Sequence, residues 1–199
     1  MTFGLPPLPP APGSPAGRPA ADVLATEHRQ LAALCTALAD QSLPPRRRRD
    51  LADVLAATAV RHLSAEAQYV YPAVRSSVPG GAALADGEIA ATRALLATLR
   101  EDRPAETAAA LRRHAHATAG LLDRLAEIAT PEDLVRLGNR IETAEEAAPT
   151  RPHPGAPATP PWNKLTDPAL GLIDRLRDAV TGRPTREEIL FRRYASRLF

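Results

Sequence analysis

Across residues 21–147 the apolar positions return every three or four residues, the spacing of one buried helix face. The first such run starts at Asp22, aligns Leu24, His28, Leu31, Cys35 and Leu38, and stops between Ser42 and Pro45. The second reads from about Arg47 to about Tyr71, with Leu51, Leu55, Thr58, His62, Glu66 and Tyr69 on one side. Pro72, and then the stretch from Ser76 to Gly81, should break it. A third run, about Ala82 to Arg100, aligns Leu84, Glu88, Thr92, Leu95 and Leu99. Pro104 opens a fourth, whose face is Leu111, His114, Thr118, Leu121 or Leu122, Leu125 and Ile128. Thr130-Pro131-Glu132-Asp133 reads as N-cap, first-turn proline and acidic first turn of a fifth helix, carrying Leu134, Leu137 and Ile141. Long helices joined by short links predict an all-α fold, an up-down antiparallel four-helix bundle followed by extra C-terminal helices.

Composition changes this picture at the flanks. Of 21 prolines, seven fall in residues 1–20 and seven in residues 149–168. The pattern therefore divides the chain into a disordered Pro-rich tail (1–20), a helical bundle (21–147), a Pro-rich connector (148–166) and C-terminal amphipathic helices (167–199). In that last region Asp167-Pro168 should cap a short helix with Leu172, Ile173, Leu176 and Val180, and Thr185 to Glu188 reads as a capping box for the final one. Between Ala21 and Glu146 the only aromatics are Tyr69 and Tyr71, so Leu, Val, Ile and Ala must fill the core. A lone Cys35 excludes a disulfide scaffold and fits a reducing cytoplasm. No apolar run reaches membrane-span length, and residues 1–17 lack the basic and continuous apolar regions of a secretory signal, so cytoplasmic localisation is expected.

The chemistry sits on the inward faces. His62 and Glu66 are four residues apart and stack one turn apart on one helix face. His28 lies between Leu24 and Leu31, and His114 between Leu111 and Leu121, so three of the four bundle helices aim an imidazole at the interior. A carboxylate buried there needs a compensating charge. A metal ion supplies it, and imidazole with carboxylate suits non-haem iron, zinc or manganese. A hydrogen-bonded His62–Glu66 pair with no metal satisfies the same spacing. His116 falls off the inward face, and His153 falls in the connector.

These residues are similar to a known family. Glu27-His28-Arg29, followed by the segment from His62 through Glu66 and Tyr71 to Pro72, resembles the hemerythrin-like HHE cation-binding domain. The stretch Ala85-Asp86-Gly87-Glu88 resembles the start of its third helix, and the segment from Pro131 to Gly138 its closing helix. The proline-rich stretch 148–154, residues 160–164 and residues 171–175 resemble the C-terminal extension of actinobacterial members. The resemblance implies a four-helix bundle holding two non-haem irons, with a role in O2, NO or iron sensing, storage or redox stress, and O2 or NO as a small ligand. On the matching positions His28, His62 and Glu66 form the first half of that site.

The second half departs from the pattern. Thr92 stands where the third-helix histidine is expected, and Gly87 where an earlier one is. His114 is followed four residues later by Thr118, and His116 by Gly120, so the second bridging carboxylate is missing in either register; Ala67 replaces an acidic residue often found beside the first. Two neighbouring irons need anionic bridges to offset their repulsion. The retained set, His28, His62, Glu66 and His114, predicts a degenerate site for one non-haem iron; a metal-free scaffold or interaction protein is the alternative. No nucleophile triad, phosphate loop or cysteine zinc motif supports an enzyme. The basic cluster from Arg46 to Arg49 has no aromatic neighbours of the kind that stack nucleic-acid bases, so no nucleic-acid partner is expected. The C-terminal helix, with Arg186, Arg192, Arg193 and Arg197 beside Leu190, Phe191 and Tyr194, is expected to dock on its own bundle or on a protein partner, with peripheral membrane contact as the lesser alternative.

Overall fold

The computed structural model describes residues 15–101, 103–153 and 162–195. Residues 1–14, residue 102, part of the expected connector (154–161) and the last four residues lie outside the described set. The elements are α1 (Ala20–Leu38), α2 (Pro45–Ala65), a π-helical turn (Glu66–Val70), α3 (Tyr71–Ser77), α4 (Gly81–Arg100), α5 (Pro104–Ala126), α6 (Pro131–Ala147), α7 (Trp162–Thr181) and α8 (Glu187–Ala195). No strand occurs among the described residues.

The expected four-helix bundle is present. α1 packs on α2 and α5, and α4 packs on α5 and on α3, which continues α2 through the π turn. α6 lies outside this ring against α1 and α2. Its start is the one read from the sequence: Thr130 Oγ1 accepts the Asp133 backbone N–H at 3.2 Å. Gly138 lets α6 approach residues 18–20, because a Cβ there would overlap the Arg18 carbonyl. Arg18 reinforces the contact with an ion pair to Glu142.

Two apolar clusters hold the ring together. One gathers Val23, Leu24, Val70, Val74, Leu121, Leu125 and Ile141; the other gathers Leu31, Leu38, Leu55, Leu63, Leu95 and Leu111. Along α1 the first cluster supplies Leu24 and the second Leu31, with His28 between; along α5 Leu111 and Leu121 bracket His114 in the same way. The histidines thus occupy a polar layer between two dry ones.

The sequence reading ends the second helix at Pro72; in the structure the helical path continues to Ser77. Proline has no N–H, and in a regular helix its ring meets the carbonyl four residues back, here Gln68. The turn from Glu66 to Val70 is widened, with the Tyr71 N–H reaching the Glu66 carbonyl five residues back. That extra residue accommodates Pro72 and rotates α3 relative to α2. Tyr71 becomes the buried aromatic at 1% exposure, while Tyr69, read from the sequence onto the inner face, is only half-buried.

The C-terminal region also differs in detail. Asp167 is no cap: α7 begins at Trp162, and the Asp167 carboxylate anchors the helix to the bundle by accepting from Ser64 Oγ and from Gln68 Nε2, the latter at 3.0 Å. α8 docks on α2, as one of the two expected arrangements has it. Asp50 accepts from Arg193 at 2.9 Å and from the Tyr194 hydroxyl at 2.6 Å, and the Arg47 guanidinium lies over the Tyr194 ring. No described helix is long and apolar enough to cross a membrane.

Candidate metal centre

The four ligand candidates read from the sequence meet at one point. One ligand atom from each of His28, His62, Glu66 and His114 lies within 4.8 Å of the others. α1, the α2–π junction and α5 supply them. His62 Nε2 is 3.0 Å from His28 Nε2, 3.3 Å from His114 Nε2 and 3.4 Å from Glu66 Oε1. Glu66 Oε2 is 3.0 Å from His114 Nε2. The three imidazole planes stand nearly perpendicular, at 72° to 88°, splayed around a shared centre. His62 and Glu66 are fully buried. His116 is exposed, and His153 bonds Asp174 at 2.9 Å, so neither joins the cluster.

Residues beyond that set orient it. His62 Nδ1 lies 2.7 Å from Glu27 Oε2; with Glu27 ionised, Nδ1 carries the proton and donates to the carboxylate. Nε2 then presents its lone pair to the cluster. This carboxylate–imidazole pairing is the usual support for a metal-binding histidine. Behind Glu27 stands Glu145 of α6. Burial, and then Glu27 itself, push the Glu145 carboxyl up to about 8, so at neutral pH it keeps its proton and donates to Glu27. Burial also lifts Glu27, to about 7, against the hydrogen bond from Glu145. On the opposite side the Tyr71 hydroxyl donates to Glu66 Oε2 at 2.8 Å, and Thr92 Oγ1, 3.1 Å from the phenol oxygen, must be the donor of that next bond.

Sequence reading missed Glu27, Tyr71 and Glu145 as parts of the site. The doublet Glu27-His28 carried a signal, because adjacent residues on α1 flank the same side of its face. Nothing in the sequence marks Glu145 apart from the neighbouring Glu142 and Glu146, and Tyr71 reaches the site only through the π turn.

Electrostatics without a cation favour one ion pair. Burial opposes charge on His114, but Glu66 outweighs it and lifts the imidazole to about 10. Burial likewise works against an ionised Glu66, yet His114 and His62 hold it below the usual carboxylate range. Burial, aided by His62, drives His28 down to about 3, and burial lowers His62. His28 and His62 are therefore neutral imidazoles with a lone pair to offer.

The ligand-poor half is equally clear. Thr92 and Thr118 occupy the positions where the family pattern has ligands, and both are buried. Thr118 Oγ1 has no hydrogen-bond partner. Glu88 Oε2 and His114 Nδ1 are also buried without hydrogen bonds, 3.9 Å apart.

Fold and site together define a helical-bundle protein with a His3Glu constellation in its core. The family model of the hemerythrin HHE cation binding domain matches residues 20–131, and the chain belongs to that family. The match covers α1 to α5 and stops where α6 begins. Neither a curated protein nor a solved structure matches the chain significantly.

Proposed function

We propose that this chain binds a single cation, non-haem iron in the family's chemistry, through His28, His62, Glu66 and His114. One observation carries the reading. With ionised Glu27 accepting the Nδ1–H of His62, Nε2 faces Glu66 Oε1 lone pair to lone pair at 3.4 Å. Oε1 has no donor of its own and lies in a fully buried place. Two acceptors held together without a proton between them are destabilising unless a cation joins them.

The donor set fits one ion and not two. Ligand distances of about 2.0–2.2 Å to one metal keep all donors within about 4.4 Å of each other, close to the spread seen here. Three imidazoles and one carboxylate suit iron, zinc or manganese and leave a position for water or a small ligand. A bound iron would supply reversible O2 or NO binding and electron exchange. The chain's own residues would fix the ligand orientation: Glu27 sets the His62 tautomer, and Tyr71 holds one oxygen of Glu66. With no second carboxylate bridge, the role is sensing, storage or a minor redox-stress function, in binding rather than in catalysis, and in the cytoplasm.

A metal-free interaction protein is the second reading. It is favoured by the Glu66–His114 ion pair and by the Tyr71–Thr92 chain, which satisfy part of the site without a cation. Thermal melting of protein freed of metal separates the two. Under anaerobic iron(II) at about 100 times Kd, stability should rise by about 2.7 kcal/mol, and His62→Ala should abolish the rise. A melting temperature indifferent to iron, zinc and manganese would establish the metal-free reading instead.

A further inference from the structure

α7 is built inside out. Its polar residues Asn163, Asp167, Asp174 and Asp178 are buried against the bundle. Its large apolar residues face away: Leu172 is 57% exposed, Ile173 59%, Leu176 63% and Val180 89%. A helix packed on a globular core normally shows the reverse.

The orientation is locked from the polar side. Asp174 Oδ2 accepts the backbone N–H groups of Thr150 and Arg151, each at 3.0 Å, and lies 2.9 Å from His153 Nε2. Asp178 takes the Thr150 hydroxyl and the Arg151 guanidinium, each at 2.5 Å, and pairs with Arg183. Gly171 brings the helix backbone against Ala147 and Ala148, where a Cβ would overlap a carbonyl oxygen. Turning the helix to hide its leucines would break all of these bonds and leave buried donors and acceptors unpaired.

The exposed charge on α7 has one sign. All three of its carboxylates are buried, and among its described side chains the exposed charged ones are Arg175 and Arg177. At helical spacing these fall on opposite borders of the Leu172–Ile173–Leu176–Val180 stripe. Arg175 also donates to the Glu146 carbonyl, using one of its five N–H groups. Arg177 borders a cavity it shares with Arg46, Arg49, Arg151, Arg183 and Arg193, against Asp50 and Asp53. A second copy of α7 laid on the stripe would set arginine against arginine, with no exposed carboxylate on either helix to answer. An anionic surface with an apolar interior answers both features.

We propose that α7 is a membrane-docking helix that lies in the plane of an anionic phospholipid bilayer surface. Leu172, Ile173, Leu176 and Val180 enter the acyl boundary, and Arg175 and Arg177 sit at the phosphate level, the arrangement that suits an arginine-bordered amphipathic helix. The interaction is peripheral and independent of the metal centre.

Co-flotation of the full chain with vesicles tests this. Phosphatidylcholine vesicles containing phosphatidylglycerol should carry the protein upward, and pure phosphatidylcholine vesicles should not. Leu172→Asp with Leu176→Asp should cut the bound fraction more than about tenfold, since two apolar side chains no longer enter the acyl boundary. Arg175→Glu with Arg177→Glu should weaken binding to the anionic vesicles. Leu172 and Leu176 are exposed, so circular dichroism and melting should be unchanged in their variant; Arg175→Glu also gives up the bond to the Glu146 carbonyl, so Arg177→Glu alone, weakening binding with melting unchanged, separates lipid contact from folding. Absence of co-flotation with the anionic vesicles overturns the proposal, as does equal flotation with both lipids. A dimer in light scattering that Leu176→Asp splits also overturns it, and assigns the stripe to a second copy.

Discussion

The two halves of the bundle core face the same buried polar layer with different chemistry. α1 and α2 contribute His28, His62 and Glu66, and behind them Glu27 and Glu145 form a proton-ordered support. α4 and α5 contribute His114, while their other inward polar residues at this level are Glu88, Thr92 and Thr118. The first half has more acceptors than protons; the second has hydroxyls that donate or stay unpaired. The space beside Glu66 Oε2 is taken by the Tyr71 phenol, held by Thr92. Under the single-ion proposal, the contrast is that of a two-metal frame that keeps its fold with one metal. The apolar layers above and below are complete on both sides, so only the polar layer registers the change.

The contrast can be broken or sharpened by substitution, and the largest effect should come from its centre. Glu66→Gln removes the only anionic ligand and should reduce iron uptake to below about a tenth of an ion per chain, read by metal analysis after anaerobic loading. Glu27→Gln leaves every ligand in place but weakens the acceptor for the His62 proton. Metal affinity should fall by about 10–100-fold in competition with a chelator, the usual loss when such a support is removed. Tyr71→Phe takes one donor from a buried carboxylate and should cost about 1–3 kcal/mol in denaturant unfolding of the metal-free protein.

A smaller effect should appear with pH at the C-terminal helix. Burial raises the Asp50 carboxyl, but the Tyr194 hydroxyl and Arg193 outweigh it and hold it below its ordinary 3.8. The docking contribution is therefore complete above that value and is lost as pH falls through the lower folded-state value. Hydrogen exchange of α8 should accelerate in that acid window, and Asp50→Asn should show fast exchange already at neutral pH. The smallest effect belongs to Thr118→Val, which replaces an unpartnered buried hydroxyl by a methyl of similar shape. It should leave metal affinity unchanged and raise stability by about 0.5–1 kcal/mol in thermal melting.

Much of this centre was readable in the sequence, because a helix converts spacing into direction. His28, His62, Glu66 and His114 each fall on an apolar face, and the structure brings all four together. What spacing cannot show is a change of period. The π turn adds one residue after Glu66, so the regular period places Tyr69 inside where the structure places Tyr71. Nor does spacing say which face of an amphipathic helix turns inward when polar groups can be fully satisfied. α7 carries an apolar stripe, but Thr150, Arg151, His153 and Arg183 supply enough donors to bury its aspartates instead. Glu145 reaches the site by tertiary packing of α6, which leaves no local trace.

The most direct test of the single-ion account is iron stoichiometry in the full chain, loaded anaerobically with iron(II), freed of excess and measured against protein concentration. One iron per chain, lost in Glu66→Gln, is the predicted result. Two irons per chain would mean that Glu88, Thr92 and Thr118 do not limit the second half of the site, and no retained iron would mean that the four residues form a hydrogen-bonded cluster and nothing more.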